Sequence, residues 1–218
     1  MKKKLILMGI AGALALTTMI GGTLAAFQAN SSQGTSDITT KDLNICISDG
    51  ETKELDKYQS GVVKAMPGST INEDLKVAFA EENNYDSYVR VTIYKAWGEK
   101  NANGEFAKDF DGTLDLAAIE IIPEQEDDWI VIQTDDETTT MYYKKPISEA
   151  GAKRETSKFI DEIRISNEIG NQYANKSFVI EASAEAVQTV GGAEAVRSAW
   201  GVSASMDPEG IITGITVE

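Results

Sequence analysis

Not one of the 218 residues is histidine. The usual proton shuttle at neutral pH and the commonest metal ligand are therefore missing. This excludes Ser-His-Asp and Cys-His nucleophile systems and the helical two-histidine zinc site. Cysteine occurs once, as Cys46, so no intrachain disulfide forms and the fold must rest on its core. A single cysteine on an alternating apolar segment reads as a small buried side chain. Positive charge is scarce as well, with 20 Lys and Arg against 35 Asp and Glu. That balance opposes nucleic acid and anionic membrane surfaces as partners. No fixed-period repeat is visible, which argues against a solenoid.

What is present begins with a leader. Lys2, Lys3 and Lys4 precede an apolar run from Leu5 to Ile20, which ends in Gly21, Gly22, Thr23, Leu24, Ala25, Ala26. A basic start, an apolar middle and small residues at a cut site form the order of a secretion signal. The apolar run is close to the roughly 18 to 20 residues that span a bilayer, but no basic stop-transfer flank follows it. Cleavage between Ala25 and Ala26 is expected, with residues 1–25 as signal peptide and membrane contact only through the uncleaved leader. Its removal takes away three lysines and no acid, leaving 17 basic against 35 acidic residues, a net charge of −18.

Residues 26–42 read as a flexible, polar segment whose large apolar residues are Phe27 and Ile38. Residues 43–218 are expected to form one domain, long enough for a single core. Leu43, Ile45 and Ile47 alternate with Asn44, Cys46 and Ser48, a half-buried strand pattern. Leu75, Val77 and Phe79 repeat it after a Pro67-Gly68 turn. From Tyr88 to Tyr94, Val89, Val91 and Ile93 face one way and Tyr88, Arg90, Thr92 and Tyr94 the other. Trp129 to Thr134, an acidic Asp135-Asp136-Glu137 loop and Thr138 to Lys144 predict a hairpin with aromatics at Trp129, Tyr142 and Tyr143. Further strands are predicted over 159–165, 178–187 and 211–217, with Glu181 and Glu185 marking a solvated face. Helical signals are few: a short turn over 114–119, and a helix over 193–200 between Gly192 and Gly201. The class is all-β, an antiparallel jelly roll or sandwich with a few short helices.

One string matches a catalytic signature. Asp109-Phe110-Asp111-Gly112-Thr113-Leu114 reads as the first motif of haloacid dehalogenase-like phosphatases, in which the first Asp is the nucleophile at the exit of a buried parallel strand. The residues before it are too polar for such a strand, and no alternating strand-helix pattern follows. Asp109, Asp111 and Asp115 could also surround calcium, but they do not complete an EF-hand spacing. A solvated loop is the expected reading, as it is for the acids at 124–128 and 135–137. No catalytic residue, metal site or cofactor is assigned.

Several pieces carry a resemblance. Gly21-Gly22-Thr23-Leu24-Ala25-Ala26-Phe27 is followed by Lys41-Asp42-Leu43-Asn44-Ile45. Met66-Pro67-Gly68-Ser69-Thr70 then stands ahead of Asp86-Ser87-Tyr88-Val89-Arg90-Val91. The series closes on Ile180 to Gln188 and Ala199-Trp200-Gly201. In order and spacing these resemble the TasA/camelysin family of exported matrix proteins; the segment 98–146 and Cys46 depart from it. The resemblance implies a secreted jelly-roll domain, located at the cell surface or in the extracellular matrix, of a kind that in several members assembles into fibres. In such fibres the N-terminal segment of one subunit adds a strand to the next. Here that segment would use Phe27, Ile38, Leu43, Ile45 and Ile47, with self-association as the main partnership and other matrix or cell-surface components as further partners. Two other functions stand beside it. A monomeric adhesin or binding module would use exposed aromatics of the 129–143 hairpin. The metallopeptidase label carried by the family name is discounted for a chain without histidine.

Overall fold

Two alternating runs set the frame. In β-branched and aromatic stretches, side chains point to opposite faces residue by residue, so a run such as 88–97 must bury one face against another sheet. The computed structural model describes residues 43–50, 57–60, 63–80, 82, 84–101, 103, 105–109, 112–150 and 154–217. All belong to one compact unit that begins at Thr40. The strands are β1 (Ile45–Ser48), β2 (Lys57–Gln59), β3 (Val63–Lys64), β4 (Thr70–Phe79), β5 (Ser87–Lys100), β6 (Phe106–Lys108) and β7 (Ile119–Ile122). They continue as β8 (Trp129–Gln133), β9 (Thr138–Tyr143), β10 (Ile160–Ile165), β11 (Ser177–Gln188), β12 (Val202–Met206) and β13 (Ile212–Val217). Among the described residues one α-helix, α1 (Ala193–Trp200), precedes β12.

Four strands form one sheet in the order β1-β4-β10-β7. A larger sheet runs β2-β11-β5-β9-β8, with β3 also on β11 and β6 on β5. Every pairing is antiparallel. The two sheets face one another across a shared core. Ile47, Leu75, Val77, Ile163 and Ile119 come from the small sheet and Val91, Ile93, Met141, Phe178 and Ile180 from the large one. Trp97 stands edge-on to Tyr173 and Phe178, with ring centres 5.1 and 5.6 Å away. Between Ile160 and Glu162 the register with β4 slips, and across the slip Ile160, Ile163 and Ile165 all reach the core. At Gly98 a side chain is excluded by close approach, because a Cβ there would lie 2.3 Å from the Ala107 carbonyl oxygen as β6 folds back.

Part of the outer face of the large sheet is covered as well. Tyr88, Tyr142, Ile130, Ile132 and Val187 pack beneath Val196 and Trp200 of α1, Val202 and Met206 of β12, and Ile212 and Ile215 of β13. The helix ends at Gly201, whose φ of 66° is the left-handed conformation that glycine adopts without strain. Arg90 lies 5.2 Å above the Trp200 ring and pairs with Glu185, fastening this layer to the sheet.

The expected all-β antiparallel sandwich is present, as is the helix over 193–200. The finer expectation of a jelly roll finds no independent support in the strand order. β1 pairs directly with β4, and after β11 the chain leaves the sandwich for the outer layer.

Candidate functional site

Of the residues expected to serve processing and assembly, Ala25, Ala26, Phe27 and Ile38 lie outside the described residues. Leu43, Ile45 and Ile47 sit together at the start of the small sheet. The Ala80 amide donates to the Asn44 carbonyl at 3.0 Å, and Cys46 and Ser48 lie opposite Ala78 and Lys76. In an antiparallel ladder alternate residues bond to the same neighbour, so Asn44, Cys46 and Ser48 bond to β4. Ile45 and Ile47 turn their backbone N–H and C=O groups the other way. Among the described residues no strand pairs with that side of β1.

The side chains of this edge belong to the chain's own core. Ile47 is fully buried, while Ile45 and Leu43 are half-buried. Its entry is fastened by a polar relay centred on the buried Asn84. The Asn44 amide donates to Asn84 Oδ1 at 2.8 Å. The backbone amide and Nδ2 of Asn84 both donate to Glu149 Oε1 at 3.2 Å, and Arg154 pairs with Glu149 at 3.1 Å. Cys46 is buried on the strand, as expected, with Sγ donating to the Ala78 carbonyl. Beside it, burial and the neighbouring carboxylates of Glu73 and Asp49 raise the Tyr58 hydroxyl well above the ordinary tyrosine range, so it stays protonated.

Asp109 corrects an expectation. It was expected on a solvated loop, yet its side chain is only 13% exposed. Its carboxylate accepts a hydrogen bond from the Lys176 amine at 2.9 Å, and the same amine reaches Glu99 at 2.7 Å. Hydrogen bonds to Glu99 and Asp109 raise the Lys176 pKa and keep it charged. Asp109 follows β6, a three-residue antiparallel strand, rather than the parallel strand a phosphatase nucleophile needs. Asp115 is equally committed. Its carboxylate caps Ala117, its carbonyl accepts from Trp97 Nε1 at 2.9 Å, and its amide donates to the Tyr173 hydroxyl. Asp111 lies outside the described residues. The shallow cleft beside Asp109 is lined by Trp97, Lys108, Gly112, Leu114 and Glu137. Lys108 and Glu137 close on each other there at 2.6 Å.

The hairpin aromatics correct another. Trp129, Tyr142 and Tyr143 are 3%, 3% and 7% exposed. Trp129 and Tyr143 enter the inner core, and Tyr142 lies under Trp200, with ring centres 5.7 Å apart. A binding surface built on them is not available, because all three rings are buried.

Sequence reasoning missed Lys95. It continues the inward phase of Val91 and Ile93, is 8% exposed, and donates from Nζ to the Ile119 carbonyl at 2.9 Å. Burial lowers its pKa, against an upward pull from Asp115 and Glu120. A charged residue in the buried phase of a strand was the signal available. No family model, curated protein or solved structure matches the chain.

Proposed function

We propose that the chain is an exported structural subunit of a cell-surface or biofilm-matrix fibre, in which residues 26–42 of one copy add as a strand to a sheet edge of the next. The observation that carries this reading is the outer edge of β1. Among the described residues no strand pairs with it, with Ile45 half-buried and Ile47 fully buried on it, and it lies directly after a polar segment with a single charge, Asp37, between Ala26 and Thr40. Strand addition takes its affinity from main-chain hydrogen bonds and its register from alternate side chains; Phe27 and Ile38 are the large apolar residues the donor brings. A head-to-tail contact of this kind need not close into a ring, and so it builds fibres. The leader and the resemblance to TasA/camelysin proteins support export and assembly. The lack of histidine weighs against the metallopeptidase alternative, and the burial of the hairpin aromatics weighs against the adhesin that would use them. Sedimentation and electron microscopy of the chain from Ala26, beside one lacking residues 26–40, test the proposal. Assembly by the first and not the second is expected.

A further inference from the structure

Edge strands are normally kept from pairing by a charge, a proline or a bulge within the strand. β8 has none of these. From Trp129 to Thr134 the chain reads Trp-Ile-Val-Ile-Gln-Thr, and its ladder with β9 runs without a slip from Trp129 opposite Tyr143 to Gln133 opposite Thr139. The Thr134 amide donates to the Thr138 carbonyl at 2.9 Å, and the Lys144 amide to the Asp128 carbonyl at 2.9 Å. The even-numbered residues are therefore the ones bonded to β9. Val131 and Gln133 turn their backbone groups outward, from the last strand of the sheet, while the Trp129 amide on the same side donates to the Glu126 carbonyl. Val131, at the centre, is 54% exposed.

The protection stands in the flanks instead. Glu126, Asp127 and Asp128 form a 3-10 turn before the strand, and Asp135, Asp136 and Glu137 form the hairpin loop after it. Lys145 pairs with Asp128 and Lys108 with Glu137, each at 2.6 Å. Lys144 directs its amine to the Asp127 carbonyl and not to the carboxylate. Glu126, Asp127, Asp135 and Asp136 have no ion pair among the described residues. These four are placed symmetrically: Asp127 and Asp135 lie at equal distances along the chain either side of Val131, and Glu126 and Asp136 likewise. An antiparallel twofold pairing of two β8 strands about Val131 sets the turn that carries Glu126 and Asp127 in one copy beside the loop that carries Asp135 and Asp136 in the other. Like charges opposed across a ladder are destabilising. The guard is thus directed at the one register in which the strand meets itself.

We propose that the outer edge of β8 is a pairing surface for β8 of a second copy of this chain, held closed by these four carboxylates and opened when their charge is removed or screened. It does not depend on the N-terminal segment. The test uses the chain from Lys41, which keeps the compact unit and lacks the segment proposed to build fibres, with Glu126→Gln, Asp127→Asn, Asp135→Asn and Asp136→Asn. Asparagine at 135 keeps the side-chain oxygen that accepts from the Glu137 and Thr138 amides. Sedimentation should show dimerisation strengthened at least about tenfold over the unaltered chain. Adding Val131→Cys places two thiols across the dyad, where a Cα separation of about 5.5 Å suits a disulfide. An interchain disulfide mapped to the introduced thiol is expected. With the acids intact, Val131→Cys alone should cross-link when salt is raised to about 1 M, where the screening length falls to about 3 Å, and not at low salt. That arm needs no acid substitution, so a folding defect in the fourfold variant leaves the proposal testable. It is overturned by absence of the cross-link in both arms, by equal cross-linking at low salt with the acids intact, or by unchanged dimerisation when Val131→Lys is added to the fourfold variant.

Discussion

The two sheets end in unlike edges. The outer edge of β8 is an uncharged run between two acidic triplets, whereas that of β1 is made of only the half-buried Ile45 and the fully buried Ile47, between flanks of both signs, Lys41-Asp42 and Asp49. Charge guards the edge whose sequence would pair with itself. At β1 there is no such guard, and a nearly uncharged segment leads into the strand. The difference suggests that the chain suppresses one kind of edge contact while leaving room for another.

The same substitution at the two edges breaks this comparison most sharply. Ile47→Lys puts an unpaired ammonium into a fully buried site and should cost more than about 3 kcal/mol, enough to abolish a cooperative melt. The contrast also assumes that both edges hang on one rigid frame, of which Asp109 is a part. Because its carboxylate binds Lys176 at low exposure, Asp109→Ala should cost about 1 to 2 kcal/mol in denaturant unfolding, discounted for the partly exposed lysine. A loss within about 0.5 kcal/mol would restore the solvated loop.

Lys95, between β7 and the loop that guards β8, sharpens the frame by its pH dependence. Burial lowers its amine pKa, so the unfolded chain binds that proton more readily. The destabilisation it causes at neutral pH is relieved as pH rises through the folded-state value toward the ordinary lysine range. Lys95→Met should therefore melt higher than the unaltered chain near pH 7, with the gap narrowing by about pH 10. A gap that widens would show the lysine to be a net stabiliser. At the small end, Val131→Lys on the exposed edge should change stability by no more than about 0.5 kcal/mol. That leaves β8 folded while adding a charge to its edge.

Much of the frame was legible. β4, β5, the β8–β9 hairpin, β10, β11 and β13 follow from alternating apolar residues, and α1 from the glycines at both ends. The short strands β2, β3 and β6 carry too few residues for a period to show. β7 was absorbed into a predicted turn, although the 3-10 turn of Leu116–Ala118 hands directly to the strand. β12 reads Val-Ser-Ala-Ser-Met, whose small residues give almost no contrast between faces. The outer layer is the main reason that burial was misread, since alternation in one strand shows that a face is apolar and not what will cover it. Ile45 and Ile47 were legible as a strand; that no described strand pairs with their outer backbone edge emerged only from the register with β4.

The central claim is that residues 26–42 of one copy complete a sheet edge of another. The direct measurement is sedimentation velocity with electron microscopy on the chain starting at Ala26 and on the chain starting at Lys41, over a range of concentration. Fibres from the first and a folded monomer from the second are the predicted result; monomers from both, or equal fibres from both, would contradict it.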